Sequence, residues 1–325
     1  MKERIKTALF HSKLQISIFI VVILMFALFI LFNPGTFLHY SIYYAFMSTI
    51  PFTAILAISM TLVIILGEID LSFPSVVGIS AFTYAIVFTY SANVYLAFIS
   101  SLIVGAVIGF INALFIVKIK IPSLIITLGM GFFWRGLVYV LSGGKGLSLV
   151  ETQGSVLYKV LVGRIGGEVP AQALWLAIIA IIFGVILKFH RFGIHILFTG
   201  DNSESARMMG INVNRVKMIV FIQLGICSAL VGMISSSEIV YVYPTTGDGY
   251  LLGVLAAVFL GGTSVFGGKG TIFGTLMGAI IIGSLEAGIL SSGVSGFWVR
   301  LVYGIVIVLS LNVYAYLSKI GWYRS

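Results

Sequence analysis

Apolar runs of about twenty residues, parted by short turns that carry glycine, proline or charge, repeat along almost the whole chain,. That pattern leaves few folds open. In hydrocarbon the backbone amides must be satisfied within their own segment, so each run has to form a helix. Ten candidate spans result, at roughly 14–32, 43–66, 74–90, 94–117, 122–141, 172–188, 217–236, 250–266, 271–291 and 297–317,. The third and eighth are short and glycine-flanked, which predicts tilted or broken helices there. With 60% hydrophobic and 9% charged residues the chain lies far from a globular balance, and 37 glycines against 6 prolines suit closely packed helices,. The expected fold is all-α and polytopic, a single transmembrane domain over residues 1–325.

The basic start, MKERIKTALFHSKLQ, runs into an apolar stretch from Leu14 to Phe32 that ends at Asn33-Pro34-Gly35. It is longer than a signal-peptide core and lacks a small-residue cleavage site, so an uncleaved first helix is expected. With the N-terminus inside, fourteen lysines and arginines fall on the inner side and three (Lys145, Lys159, Arg164) on the outer, with Arg135 and Arg300 within spans. The bias places both termini in the cytoplasm. It also accounts for the net charge of +9 through orientation rather than nucleic-acid binding.

The bias further makes the polar island His190–Lys217 cytoplasmic. Within it Asp201 to Gly210 predicts a short amphipathic helix with a glycine stop, displayed for another protein. The longest outer segment, 142–170, reads as an ordered loop with a short helix. The turns Leu66-Gly67 and Leu260-Gly261-Gly262 echo one another, suggesting an inverted repeat of spans 2–5 and 7–10. Cys227 is the single cysteine, so no intrachain disulfide can form.

Gly261 to Thr271, GGTSVFGGKGT, approaches a phosphate-cradling loop, but Thr263 stands where its first glycine is required and Gly270 where its hydroxyl residue would be,. His11, His39, His190 and His195 show no metal-ligand spacing, and no Ser-His-Asp arrangement is legible. An enzyme, a metal site and a cofactor bound by this chain are therefore not expected.

What remains is transport chemistry. Ionisable groups within spans need a partner or an aqueous cavity. Arg135, Glu286 and Arg300 are the candidates, each toward the outer third of its span. Glu286 and Arg300 flank the last outer turn, so they either pair with each other or touch solute; Arg135 either lines the path or snorkels to outer headgroups. Glu68 and Asp70 meet the inner end of the second span. They either cap and shape the turn, with Ser72 as the nearer cap and Asp70 free to pair with a cation, or take part in gating. Asn112 and Thr127 are expected to hydrogen-bond between helices, with a polar path as the alternative.

Four stretches resemble the membrane permeases of bacterial ABC importers for ribose, related monosaccharides and autoinducer-2. LGEIDLSFPS (from Leu66) is similar to that family's Gly-Gly-Ile-Asp-Leu-Ser turn, and GFINALFIVKIKIPSLIITLGM (from Gly109) to its fourth span, basic turn and Thr-Leu-Gly. GDNSESARMMGINVNRVK (from Gly200) resembles its coupling segment, about 190–216, and VLAAVFLGGTSVFGGKGTIFGTLMGA (from Val254) its Gly-Gly-Thr-Ser loop. The resemblance covers nearly the whole chain.

It implies a permease of the bacterial inner membrane working as a homodimer or heterodimer. A cytoplasmic ATPase subunit would use ATP and Mg, and an extracytoplasmic solute-binding protein would deliver the cargo. Coupling then falls to Asp201, Asn202, Ser203, Glu204, Ala206, Arg207, Gly210 and Ile211, with small Ala206 permitting close approach of the partner. Glu68 in place of the family's second glycine, Leu251 and Gly253 where acidic residues are frequent, and Glu286 where asparagine is common leave the solute open among monosaccharide-like compounds. The alternatives are a branched-chain amino acid ABC permease and an ion-coupled secondary transporter.

Overall fold

Helix follows helix because the apolar runs offer their backbone no other partner. The computed structural model describes residues 2–291 and 295–319, with side chains at 15–290, 295–310 and 312. Both chain ends, and most of the outer turn expected between the last two spans, lie outside the described residues, as does Arg324.

The helices are α1 (Lys2–Phe32), α2 (Pro34–Phe37), α3 (Tyr40–Ile65), α4 (Phe73–Ser91), α5 (Val94–Leu114), α6 (Ser123–Ser142) and α7 (Val156–Val162). They continue with α8 (Ala171–Phe189), α9 (Arg191–Asp201), α10 (Ser203–Met208), α11 (Val213–Ile239), α12 (Tyr250–Leu260), α13 (Ile272–Ser291) and α14 (Phe297–Lys319). A π-helical turn, Phe115–Ile119, extends α5. Four two-residue strands complete the elements: β1 (Leu147–Ser148) pairs antiparallel with β4 (Tyr241–Val242), and β2 (Arg164–Ile165) with β3 (Val169–Pro170).

Among the described residues eight helices are long and apolar enough to cross a membrane, and Tyr250–Leu260 and Phe297–Ser310 are shorter apolar helices. The expectation for the third span is corrected: α4 has 19 residues and needs no break. The eighth is shorter than the expected 250–266. It stops at Leu260 because Gly262, at φ +82°, lets its own N–H and that of Thr263 return to Phe259 and Val258 carbonyls, which closes the helix end,. Eleven residues rise only about 16 Å, half the hydrocarbon thickness,.

α3 is apolar all round and accordingly buried on all sides from Ala54 to Leu66, at the centre of the bundle,. The apolar window of α1 is wholly unburied and that of α6 nearly so, as suits helices that meet lipid. Around α3 the helices pair with a two-fold logic. α11 packs on α5 as α3 packs on α13, and α4 on α5 as α12 on α13. Likewise α4 meets α11 and α6 as α12 meets α3 and α14. Exchanging α3–α6 with α11–α14 carries each pair onto another, and the single span α8 between the sets gives them opposite sense.

The repeat is real, yet the turn echo does not express it. Gly67 and Gly262 close their helices with the same hydrogen bonds, but they end α3 and α12, which are not equivalent under the exchange. Equivalent connections are 66–72, leading into α4, and 240–249, leading into α12. The second meets the first turn of α4: Gly247 lies against the Pro74 carbonyl, and a Cβ there would overlap it.

The outer segment 142–170 is ordered as expected, with α7 and three of the strands. Arg164 pairs with Glu238 at 2.5 Å, Gln172 donates to the same carboxylate at 2.5 Å, and the guanidinium lies over the Tyr44 ring. These contacts tie the loop to α8, α11 and α3.

Candidate functional site

The face expected to be cytoplasmic carries α9 and α10. α9 was not foreseen, because 190–200 reads by charge as an ordinary basic loop. Its signal was the run of apolar residues Phe192, Ile194, Ile196, Leu197 and Phe198 between charged ends, of which Ile196 is buried. His190 caps it, Nδ1 accepting from the Phe192 N–H at 3.1 Å. Gly200 then sits against the Ile65 carbonyl, and the Gly268 N–H donates to that same oxygen at 2.8 Å. The end of α9 is thus bolted to the end of α3 and to the loop before α13.

Asn202 ends α9 and starts α10. Its Oδ1 accepts from the N–H groups of Glu204 at 3.0 Å and Ser205 at 2.9 Å,. Gly210, at φ +83°, closes α10, with Ile211 N–H returning to the Ala206 carbonyl at 3.0 Å,. One expectation is reversed here. Ala206 (1% exposed) and Ile211 face the protein's own core, so the small residue permits close packing beneath the helix and not approach by a partner. Asp201, Ser203, Glu204 and Arg207 are exposed, and so are Met208 and Met209 at 80% and 63%. Flexible thioethers beside two opposite charges make an adaptable exposed surface, and Met209 was not singled out from sequence.

Glu68, Asp70, Asn112 and Thr127 converge on the connection 66–72. Glu68 pairs with Lys217 at the start of α11. Ile69 N–H donates to Ser123 Oγ at 3.1 Å and Leu71 N–H to Thr127 Oγ1 at 3.0 Å. Asp70 finds no cation among the described residues. Its carboxylate accepts from Ser72 N–H and Oγ, both at 2.6 Å, and from Asn112 Nδ2 at 3.3 Å, while Asn112 also donates to Ser72 Oγ at 2.7 Å. Burial pushes the Asp70 carboxyl above its ordinary range, and the hydrogen bonds from Ser72 and Asn112 pull it back,. Ser72 does occupy the cap position of α4, but its hydroxyl is given to Asp70 and caps nothing. Asn112 and Thr127 are committed to this connection, which joins α3 to α5, α6 and α11.

Arg135 does not snorkel outward. It lies twelve residues into α6, about 18 Å along the axis, and turns toward the place where the connection 240–249 meets the first turn of α4. Nη1 donates to the carbonyls of Pro244 at 2.8 Å and Thr246 at 2.9 Å, and Nη2 to that of Pro74 at 3.0 Å. Nη2 also pairs with Asp248 at 2.8 Å. Asp248 was missed; its signal was a carboxylate between Gly247 and Gly249, both at positive φ, just before a span.

Glu286 and Arg300 do not pair. Tyr303, one turn along α14 from Arg300, donates its hydroxyl to Glu286 Oε2 at 2.6 Å. A Cβ on Gly253 would touch both the Tyr303 ring and the Thr53 methyl. Arg300 is exposed, has no ion pair among the described residues, and borders an apolar groove of α14 with Leu301, Gly304 and Ile305. Glu286 is exposed although it sits within the crossing helix α13. An exposed carboxylate at that depth faces water or protein, not lipid.

Two helix sets with matching pairings, a half-length helix entered through an arginine-held loop and eight long apolar helices define a multi-pass membrane protein of the transport class. A family model described as the permease component of the branched-chain amino acid transport system matches residues 42–311, and the chain belongs to that family.

Relatives include the ribose import permease protein of Escherichia coli K12, 36% identical over 261 residues, covering 80% of this chain and 81% of that one. The L-arabinose ABC transporter permease protein of Azospirillum brasilense is 32% identical over 257 residues, 79% and 74% of the two chains. The autoinducer 2 import system permease protein of Yersinia pseudotuberculosis is 30% identical over 255 residues, 78% and 71%. No solved structure matches the chain. This is an ABC-importer permease of the bacterial inner membrane, a transporter subunit that leaves hydrolysis to a separate ATP-binding subunit and works with a solute-binding partner.

Proposed function

We propose that this permease carries a monosaccharide or similar polyhydroxylated solute inward by alternating access, as a pair of copies. A cytoplasmic ATPase subunit docks on Asp201–Ile211, the chain itself holds no cofactor, and ATP with Mg is used by the ATPase. The observation that carries the docking assignment is the two-sided character of α10. Ala206 and Ile211 are buried on the body, while Glu204, Arg207, Met208 and Met209 are presented outward. The solute class is supported by the three relatives, which are named for ribose, L-arabinose and autoinducer 2.

Reversing both exposed charges, Glu204→Lys with Arg207→Glu, tests the docking. The double variant should insert normally and lose at least about ten-fold in ATP-driven uptake, since misplaced charges at an interface cost a few kcal/mol. Wild-type uptake by this variant in proteoliposomes with the ATPase would remove α10 from the interface. A competition panel of pentoses, hexoses and leucine in the same assay tests the cargo. A branched-chain amino acid is the second reading, favoured by the description of the matched family, and competition by leucine alone would establish it over a sugar. The ion-coupled alternative gains no support from these relatives.

Glu286 and Tyr303 form a polar pair within the membrane that we assign to the solute path, since carboxylate and phenol together satisfy hydroxyl-rich cargo. Glu286→Gln keeps the volume and loses the charge-assisted bond to Tyr303, worth about 1.5–3 kcal/mol. Uptake at low solute concentration should fall about ten-fold with the melting temperature little changed; unchanged uptake would place the pair outside the path.

A further inference from the structure

A second site lies beneath the docking helix. Where the π-helical turn of α5, the start of α6, α10 and the start of α11 come together, they leave a cleft of about 470 Å³. Its polar wall is Glu68, Lys120, Arg207, Asn214 and Lys217. Lys217 is taken up by Glu68, which leaves Lys120 and Arg207 without an ion-pair partner among the described residues. The cleft therefore carries two uncompensated positive charges. Its other wall is apolar, from Ile116, Val117, Ile121 and Pro122. Directly above, α6 turns Leu124, Ile125 and Leu128 outward, each about half exposed or more, on a helix that meets lipid.

The backbone is bent to build this cleft. Lys120 holds φ +60°, in the left-handed region that non-glycine residues rarely occupy, directly after the π-helical turn. Strain of that kind is retained where the surroundings or a ligand make use of the side chain's position.

We propose that the cleft binds the phosphate headgroup of an anionic phospholipid of the inner leaflet, with Lys120 and Arg207 on the phosphate and an acyl chain lying along α6. The shared chemistry is a phosphate oxyanion, which free phosphate could also supply. The apolar wall and the open apolar face of α6 favour the lipid, because free phosphate would leave both unused. Basic pockets between helices on the cytoplasmic side suit such headgroups. Since Arg207 stands both in the cleft and on the docking helix, lipid occupancy would set how α10 is presented.

The test is native mass spectrometry of the purified full-length chain with phosphatidylglycerol or phosphatidylcholine, with and without millimolar inorganic phosphate. Wild type should take up phosphatidylglycerol in preference to phosphatidylcholine. Lys120→Asn, which tolerates the left-handed backbone, should weaken phosphatidylglycerol binding about five-fold and leave phosphatidylcholine unchanged. Lys120→Arg should bind as wild type, separating charge from folding. Equal binding of the two lipids, or no effect of Lys120→Asn, overturns the proposal. Displacement of phosphatidylglycerol by inorganic phosphate makes this a free-anion site and overturns the lipid assignment. So does unchanged lipid binding combined with weaker recovery of the ATPase, which would give the cleft to an acidic residue of that partner.

Discussion

Arg135→Met is expected to abolish uptake and to lower the melting temperature of the detergent-solubilised chain by roughly 10 °C. The reason is the number of groups that one guanidinium satisfies. Three carbonyls, from Pro244, Thr246 and Pro74, accept from it, and Asp248 pairs with it. Methionine fills much of the volume and answers none of them, and removing one partner of such a buried set costs about 3–5 kcal/mol. The space is also closed to a substitute: a Cβ on Gly78 would already overlap the Thr246 carbonyl and the guanidinium.

The functional loss should exceed the stability loss, because the loop that Arg135 holds is the entry to the half-length helix α12. Asp248→Asn is the graded comparison. Its side chain is half exposed at 55%, so the pair is screened and its loss should cost no more than about 1 kcal/mol, with the carbonyl bonds intact,. Near-normal uptake and melting of Arg135→Met would mean that the loop is held by something else.

Much of this was legible in the sequence, for a definite reason. Membrane helices are announced by composition, since lipid allows no other backbone solution, and all ten expected spans correspond to helices,. The docking helix was legible because Asn202 and Gly210 are a cap and a stop with fixed chemistry. The failures share a cause too. Glu286 and Arg300 were read as a possible pair from their places beside one turn, and Arg135 was read from its depth alone. Arg135 reaches Asp248, more than a hundred residues on, and Glu286 accepts from the Tyr303 phenol instead of pairing with Arg300.

Depth alone cannot show which way a side chain turns. The same limit applies to Ala206, where smallness signalled close packing correctly and the direction of that packing was unreadable. The repeat was inferred from two similar turns that prove non-equivalent. Its true expression, α11 on α5 matching α3 on α13, is a property of pairing that no local motif carries.

Gly225→Leu should leave the chain inserted but unable to assemble, giving little or no monodisperse protein after solubilisation and no uptake. The pairing of α5 with α11 is the most intimate in the molecule, and it is made backbone on backbone. A Cβ on Gly225 would overlap the Gly105 carbonyl, one on Gly105 would overlap the Gly225 carbonyl and the Ala229 methyl, and one on Gly109 would overlap the Phe221 carbonyl. Between membrane helices the hydrophobic effect supplies no attraction, so close packing and short polar contacts supply it instead, and both depend on the absent side chains. Overpacking a closed site costs about 1–3 kcal/mol when neighbours can yield. Here the neighbour is helix backbone and cannot yield without parting the helices, so the cost should lie at or beyond the top of that range.

Gly225→Ala should fall between wild type and leucine. Gly184→Leu, on the span α8 where no atom lies within 4 Å of the added Cβ, should assemble and transport normally. The ranking Gly184→Leu, then Gly225→Ala, then Gly225→Leu, read as monodisperse yield on size-exclusion chromatography, checks the seam directly. Equal yields for the two leucine variants would show that α5 and α11 do not approach through their glycines, and the two-fold pairing built on that seam would go with it.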